Sequence, residues 1–142
     1  MNPDLEKAQF FLQSENKTCV LCKDDKIYSS TLRGVKPLVQ WLADEMDVEG
    51  FSAADKVIGK ATAYLYVLLK VKNVYAQVIS KGALAVLKDR GIEVQYGTLV
   101  ENIINRKGDG ICPFEAAVWE IQDPEAAYVA IRKKMEEMKI TL

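Results

Sequence analysis

The pattern of hydrophobic and polar positions predicts alternating helices and strands along the chain. Apolar residues at helical spacing predict helices over 4–12, 35–46, 81–90, 113–120 and 124–138. Short runs rich in β-branched residues predict strands over 18–22, 26–30, 73–79 and 92–96. The first two strands are separated by a tight turn and are predicted to form a hairpin. The helix and strand order that follows is typical of right-handed crossovers in a parallel sheet.

The segment 52–69 is predicted as one further helix. Ser52 is a candidate N-cap and Asp55 stands three residues further on, as in a variant of the capping box. Residues 99–104 are predicted to form a short helical turn. Together the elements predict a single domain over 1–142, of the α/β class, with three α/β/α layers around a mixed sheet. Its hairpin is antiparallel and its later strands are parallel.

Composition narrows the class of protein. The chain has 142 residues, 49% of them hydrophobic and 27% charged, which is ordinary for a globular domain. A net charge of -1 disfavours nucleic-acid binding through a basic surface. The N-terminal stretch lacks the pattern of a secretory signal, and no apolar segment reaches the roughly 20 residues that span a membrane. We therefore expect a cytoplasmic protein with no membrane partner.

The cysteine and histidine counts limit the chemistry further. Three cysteines fit reduced thiols better than a disulfide framework. Histidine is absent, which excludes imidazole acid/base catalysis, Ser/His and Cys/His pairs, and zinc sites that use histidine. Cys19 and Cys22 have a C-x-x-C spacing, but on a strand they point to opposite faces, so core packing is the expected role. No metal site and no cofactor are predicted.

Cys112 is the first candidate catalytic residue. With Pro113 as the first helical residue, Cys112 is expected at the N-cap, where unpaired amides and the helix dipole favour a thiolate. In the same segment, "NRKGDGICPFE", Asp109, Gly110 and Glu115 are candidate ligand contacts. The alternative is that the cysteine is a small buried hydrophobe and that Gly-Asp-Gly is ordinary turn chemistry.

A second group of candidates comes from the helix predicted over 52–69. Asp55 is a candidate proton acceptor or orienting group, and Lys56 and Lys60, four residues apart, would form an anion clamp on one helix face. Gly59 suggests that a group passes close to the backbone there. The alternatives are a capping carboxylate for Asp55 and solvated lysines. Ser80, at the carboxyl end of a predicted parallel strand, is either a ligand contact or an N-cap.

The residues also carry a resemblance. The stretches "ADKVIGKATAYLYVLLKVKNVYAQVISKGALAVLKDRGI", "CVLCKDDKIYSSTLRGVKPL" and "NRKGDGICPFE" resemble a small prokaryotic family of unknown function whose fold is similar to cytidine deaminase. The resemblance implies a core of helix, hairpin, helix, strand, helix and strand. In deaminases of that fold the starts of two helices bind zinc. The corresponding positions here, near 54–56 and 80–84, contain neither a thiolate nor an imidazole, so zinc-dependent deamination is not expected.

Two functions follow from these residues. The first is a zinc-less, cytidine deaminase-like protein that binds a small anionic or nucleotide-like molecule, with Cys112-dependent chemistry as its enzymatic form. The second is a non-catalytic interaction or sensor module with a vestigial pocket. In that case Phe114, Trp119 and Tyr128 are candidates for a homo-oligomer interface, with core packing as the simpler explanation.

Overall fold

The computed structural model describes residues 3–105 and 107–142, which form six helices and five strands. The helices are α1 (Pro3–Ser14), α2 (Lys36–Ala43), α3 (Lys60–Leu69), α4 (Lys81–Asp89), α5 (Pro113–Ala117) and α6 (Pro124–Glu137). The strands are β1 (Cys19–Lys23), β2 (Lys26–Ser30), β3 (Ser52–Ile58), β4 (Asn73–Ser80) and β5 (Glu93–Val100).

The five strands form one mixed sheet in the order β2-β1-β3-β4-β5. β1 is antiparallel to both β2 and β3, whereas β3, β4 and β5 are parallel to one another. The predicted mixed sheet, with an antiparallel hairpin first and parallel strands later, is confirmed. Because the parallel strands β3, β4 and β5 are connected through α3 and α4, the chain enters both helices at the same end of the sheet, where β3 and β4 end.

The prediction of one helix over 52–69 is wrong in its first half. Residues 52–58 form β3, the central strand, which pairs with β1 on one side and β4 on the other. Ala53 and Ala54 face opposite cores and are both fully buried. A strand buried on both faces lacks the alternation of polar and apolar residues that marks a half-exposed strand. Its pairing partners outweigh the local helix signal from Ser52 and Asp55.

Two element boundaries near the end of the chain also differ from the prediction. β5 continues to Val100, and Ile104 then forms an isolated antiparallel bridge with Ile111, so no helical turn forms over 99–104. α5 ends at Ala117 rather than at Glu120. The remaining predicted helices and strands are present, with ends that shift by a few residues, as is usual for pattern-based boundaries.

The sheet separates two hydrophobic cores. The smaller core contains Ala8 and Leu12 of α1 together with Val20, Cys22 and Ala54 of the sheet. The larger core lies on the opposite face and draws on the other five helices, with α3 packed against α2, α4, α5 and α6. The larger core therefore fixes where α3, α4 and α5 meet.

No helix in the described part of the chain is both long and apolar enough to cross a membrane. The longest is α6, whose 14 residues include only four buried positions. This finding agrees with the short apolar runs in the sequence.

The smaller core should depend on Leu12. Leu12→Ala removes a fully buried side chain and leaves a cavity between α1 and the sheet, so we expect a loss of about 2–5 kcal/mol in the free energy of unfolding, measured by urea denaturation. Phe10→Ala is the matched control on the same helix, because Phe10 is 64% exposed, and it should cost far less. Equal losses in the two variants would contradict the packing of α1 described here.

Candidate functional site

The candidate site lies at the end of the sheet where the carboxyl ends of β3 and β4 meet the starts of α3 and α4. This is the place where open α/β sheets usually hold ligands. α3 begins at Lys60 directly after the N-cap Gly59, and α4 begins at Lys81 after the N-cap Ser80. The two helix starts are neighbours, because a Cβ added at Gly82 would lie 3.8 Å from Cδ of Lys60.

The carboxylate of Glu115 occupies the start of α3. The amide of Lys60 donates to Oε1 at 2.9 Å, and the amide of Ala61 donates to Oε2 at 3.0 Å. Glu115 is only 6% exposed and belongs to α5, more than fifty residues further along the chain. Its negative charge satisfies two amides that have no partner within the helix and complements the positive end of the helix dipole. The protein thus supplies its own anion at this position.

Gly59 makes room for that carboxylate. Its φ of -95° is open to any residue, so glycine is not required here for backbone conformation. A Cβ at Gly59 would lie 2.6 Å from both Cδ and Oε1 of Glu115, which is far closer than atoms pack. The prediction that a group passes close to the backbone at Gly59 is correct, and the group is the side chain of Glu115.

Lys60 is held against the segment that follows α5. Its Nζ donates to the carbonyl oxygen of Trp119 at 3.0 Å and lies 5.8 Å from the ring centroid of Tyr64. The hydroxyl of Tyr64 in turn donates to the carbonyl oxygen of Ile121 at 2.6 Å. These contacts, like that of Glu115, attach the first turns of α3 to the C-terminal part of the chain.

Lys56 does not share a helix face with Lys60, contrary to the prediction. Lys56 lies on β3, and its Nζ donates to Oδ1 of Asn16 at 2.9 Å, next to the end of α1. Lys60 is the first residue of α3. Because the segment between them is a strand followed by a turn rather than a helix, the two ammonium groups do not form the predicted clamp.

Asp55 lies inside the larger core rather than at a helix start. Its Oδ2 accepts a hydrogen bond from the hydroxyl of Tyr66 at 2.7 Å, and its Oδ1 accepts one from the amide of Val57 at 3.2 Å. On the neighbouring strand β1, Asp55 is paired with Cys19. Burial raises the pKa of Asp55 to about 7, against the opposing effect of the hydrogen bonds from Tyr66 and from the backbone. Asp55 therefore caps no helix, contrary to the alternative considered above.

The pKa values of Cys19 and Tyr66, which lie around Asp55, are also raised. Burial, followed by the Asp55 charge, raises the pKa of the Cys19 thiol well above its ordinary value. Burial also raises the pKa of Tyr66, with Asp55 as the next cause. Thiol and phenol are thus kept protonated, and a protonated thiol is a poor nucleophile. The partnership of Asp55 with Tyr66 could not be read from the sequence while 52–69 was interpreted as one helix.

Cys112 lies where the sequence placed it relative to the helix. It is the N-cap of α5, with Pro113 as the first helical residue, and its side chain makes no capping hydrogen bond. It is half-buried against the larger core. Its amide donates to the carbonyl oxygen of Ile103 at 2.9 Å, and its own carbonyl accepts from Ala116 at 3.1 Å. Its chemical role stays a prediction.

Asp109 and Gly110 belong to a turn that is closed by its own hydrogen bonds. Nδ2 of Asn105 donates to Oδ1 of Asp109 at 2.9 Å, and the amide of Asn105 donates to the carbonyl oxygen of Gly110 at 2.8 Å. Arg106 of the same segment lies outside the described residues. The Asp109 carboxylate is therefore engaged within the turn, and its predicted role as a ligand contact stays a prediction.

Ser80 caps α4. Its Oγ accepts a hydrogen bond from the amide of Ala83 at 3.2 Å, and the residue is 2% exposed. This confirms the N-cap among the two roles that the sequence allowed. A contact with a ligand, the other role, stays a prediction.

The cysteines of the C-x-x-C spacing pack in different cores, as predicted. Cys19 belongs to the larger core and Cys22 to the smaller core on the opposite face of β1. Burial raises the pKa of Cys22 to about 11. Within the residues that the structure describes, no three His, Cys, Asp or Glu side chains are grouped so that they could hold a metal ion.

Two surface clefts lie at the opposite end of the sheet, near the start of β3. One, of about 190 Å³, lies between α2 and the end of α3 and is lined in part by Met46, Val48 and Leu69. The other, of about 220 Å³, lies beside the β1–β2 turn at Asp24 and Asp25. Sequence reasoning did not indicate either cleft. Neither is lined by a predicted site residue.

The family model for the domain of unknown function DUF1893 matches residues 7–135. The chain belongs to the DUF1893 family. The match includes both helix starts, α5 and all three cysteines, so the whole candidate site lies within the family domain.

A solved structure supports the same assignment. The crystal structure of a DUF1893 family protein (TM1506) from Thermotoga maritima is similar to this chain, with a TM-score of 0.83 and 29% sequence identity. The similarity covers 96% of this chain and 92% of the Thermotoga chain. No curated protein matches the chain. The DUF1893 assignment thus establishes the family and the α/β fold, and the function has to be argued from the site.

The contact between Gly59 and Glu115 predicts coupled effects on stability. Glu115→Ala leaves two amides of α3 without their acceptor, at a cost of about 1–3 kcal/mol for each buried amide, and Gly59→Ala introduces a clash. In the double variant the clash is gone, so Gly59→Ala should cost less in the Glu115→Ala background by about 1 kcal/mol or more. Urea denaturation of the four proteins measures this coupling.

Gly82→Ala is the matched control for that cycle. A Cβ at Gly82 would lie at an ordinary contact distance of 3.8 Å from Lys60, and alanine favours a helix over glycine, so the variant should be as stable as the wild type or more stable by up to about 1 kcal/mol. Strictly additive effects of Gly59→Ala and Glu115→Ala would contradict the contact between them.

Buried Asp55 predicts a pH dependence of stability. Its pKa rises from 3.8 in the unfolded chain to about 7 in the folded protein, so the folded state binds its proton more tightly. The contribution of Asp55 to the free energy of unfolding is therefore greatest below pH 3.8. It declines as pH rises from about 3.8 to 7 and is constant above that range. The decline amounts to as much as about 4 kcal/mol.

Asp55→Asn tests that dependence by urea denaturation between pH 4 and 8. The difference between variant and wild-type stability should grow in favour of the variant as pH rises through this window. Asp109→Asn, which removes one carboxylate from an exposed turn, is the control for the loss of a charge. Parallel profiles for wild type and Asp55→Asn would mean that Asp55 ionises normally in the folded protein.

Proposed function

We propose that this DUF1893 protein is a non-catalytic interaction module on a cytidine deaminase-like fold, with its ligand crevice closed from within. The observation that carries the proposal is the Glu115 carboxylate on the first two amides of α3. An anionic ligand at that helix start would need the same two amides. Since the amides already hold a buried carboxylate, such a ligand would have to displace it.

The order of the elements supports the cytidine deaminase-like part of the proposal. A helix, a hairpin and a second helix precede three parallel strands connected through α3 and α4, and the hairpin extends the sheet on the side of β3. The implied zinc positions are the starts of α3 and α4, which begin at Lys60 and Lys81. The correspondence with 54–56 inferred from the sequence therefore moves to 59–61.

The residues at these helix starts do not fit zinc. Gly59, Lys60 and Ala61 offer no thiolate or imidazole, and the space beside Gly59 is filled by Glu115. At α4 the hydroxyl of Ser80 is used to cap the helix.

The predicted site residues lie in separate parts of the fold, which supports a non-catalytic function. Asp55 is bound by Tyr66 within the larger core, Lys56 points to Asn16 at the end of α1, and Asp109 is engaged by Asn105. A nucleophile, a base and an anion clamp must converge on one reacting atom. These residues are engaged in separate parts of the fold instead.

A second candidate function is ligand binding with thiol chemistry at Cys112. One observation favours it: Cys112 is the only one of the three cysteines that is not fully buried, and it lies one helical turn before Glu115. An anionic ligand that displaced Glu115 would occupy the start of α3, beside the helix that Cys112 precedes. The two candidates differ in what the purified protein should carry.

Native and denaturing mass spectrometry of the protein distinguishes them. We expect a bare polypeptide mass under denaturing conditions, and no bound species under native conditions when inorganic phosphate or cytidine monophosphate is added. Cys112→Ser should leave both spectra and the melting temperature unchanged apart from the mass of the substitution. Cys19 and Cys22 serve as internal controls, since both are buried and should resist iodoacetamide in the folded protein.

Two results would contradict the proposal. One is a bound species that is lost on denaturation and weakened by Lys60→Ala, which would indicate an open anion site. The other is a covalent adduct that survives denaturation and maps to Cys112, which would indicate thiol chemistry.

A further inference from the structure

β5 is an edge strand with little cover. In the described part of the chain it pairs with β4 alone, and no backbone group outside β4 hydrogen-bonds to residues 93–100. Six of its eight residues are exposed and the other two are half-buried, whereas β4 has no fully exposed residue. Its outer side therefore presents a row of unpaired backbone donors and acceptors.

The opposite edge of the sheet is protected in a way that β5 is not. β2 is only five residues long, begins with Lys26 and ends with two serines. Short length and a lysine are devices that prevent a sheet edge from pairing with another chain. β5 is eight residues long, contains no proline, and has no charge between Glu93 and Glu101. The two edges of this sheet thus differ in their capacity to accept a further strand.

Apolar side chains accompany the open edge. Tyr96 pairs with Ala76 and Leu99 with Ile79, and both β4 partners belong to the larger core. Because paired residues on neighbouring strands point to the same face, Tyr96 and Leu99 lie on the face of that core, beyond its cover. They remain 43% and 37% exposed. A strand added to β5 would extend the larger core over them.

We propose that β5 pairs antiparallel with β5 of a second copy of this chain, so that two sheets become one continuous sheet across a two-fold axis. Unpaired backbone along an edge requires an extended strand as its partner, and the same strand in a second copy matches it in length. The two-fold arrangement brings Tyr96 and Leu99 of both copies together on one face of the joined sheet.

The charges favour the antiparallel arrangement. A parallel, in-register pair would place the two copies of Glu93 side by side, and like charges directly opposite are unfavourable. In an antiparallel pair of the whole strand, Glu93 of each copy lies opposite Val100 of the other, and the uncharged residues 94–99 meet one another. Glu101, just beyond the strand, is already paired with Lys81 of its own chain. The antiparallel contact thus places no two like charges opposite each other.

This inference deepens the proposed function, because it names the partner of the interaction module. It is tested by the mass of the full chain in solution, measured by light scattering after size-exclusion chromatography over a wide range of protein concentration. We expect a species of twice 15.9 kDa for the wild type, and a shift towards 15.9 kDa for Tyr96→Lys and Thr98→Lys. Ser29→Lys adds the same charge to an exposed position on β2 and should leave the dimer intact.

Two measurements keep the test decisive if one variant folds poorly. Circular dichroism and the melting temperature show whether each variant is folded, and Thr98→Lys changes an exposed position. Hydrogen exchange of the wild type should show protection of the β5 amides that increases with protein concentration, while the β2 amides do not respond.

A monomer at every concentration would overturn the inference, as would a dimer that survives both β5 variants. β5 amides that become protected only when a different protein is present would also overturn it, and would indicate that the edge accepts a foreign strand. These failures are separate from that of the proposed function, because a monomeric protein can still show the bare mass and closed crevice that the module requires.

Discussion

The arrangement of this fold depends on one interaction, in which a buried carboxylate from a late, five-residue helix binds the first amides of α3. Glu115 connects α5 to the helix that directly follows the central strand. Every helix N-terminus has amides without partners, and in an α/β sheet the place beside them is where ligands usually bind. Here the chain provides both the amides and the anion. The same contact leaves no room for a side chain at 59 unless Glu115 moves, and neighbouring contacts from Lys60 and Tyr64 hold the C-terminal segment in place.

Glu115 and Asp55 show two ways of burying a carboxylate in one small domain. Glu115 receives two backbone amides at a helix start. Asp55 receives a tyrosine hydroxyl and one strand amide within a hydrophobic core, and burial dominates, so its pKa rises to about 7. Each carboxylate thus has hydrogen-bonding partners within the fold, which is why we propose that the crevice is closed. This contrast is the physical basis for regarding the site as closed.

Much of the fold was predictable because local signals and tertiary structure agree. The hairpin, α2, β4, α4 and α6 carry clear periodicity, proline at the first turn or β-branched runs, and the N-cap at Ser80 follows from its place between strand and helix. β3 was not predictable, because a central strand buried on both faces has no alternation, and Ser52 with Asp55 imitates a capping box. The role of Glu115 could not be predicted either. It depends on a contact between residues more than fifty positions apart, and no local pattern contains that information.

The most direct test of the account is amide hydrogen exchange at Lys60 and Ala61, measured by NMR in the wild type and in Glu115→Gln and Glu115→Ala. The account predicts slow exchange of both amides in the wild type, partial loss of protection with glutamine, which keeps one acceptor oxygen, and rapid exchange of these two amides with alanine. Addition of inorganic phosphate should leave their chemical shifts in the wild type unchanged. Rapid exchange in the wild type, or a phosphate-dependent shift of these amides, would show that the start of α3 is an open anion site and would contradict the account.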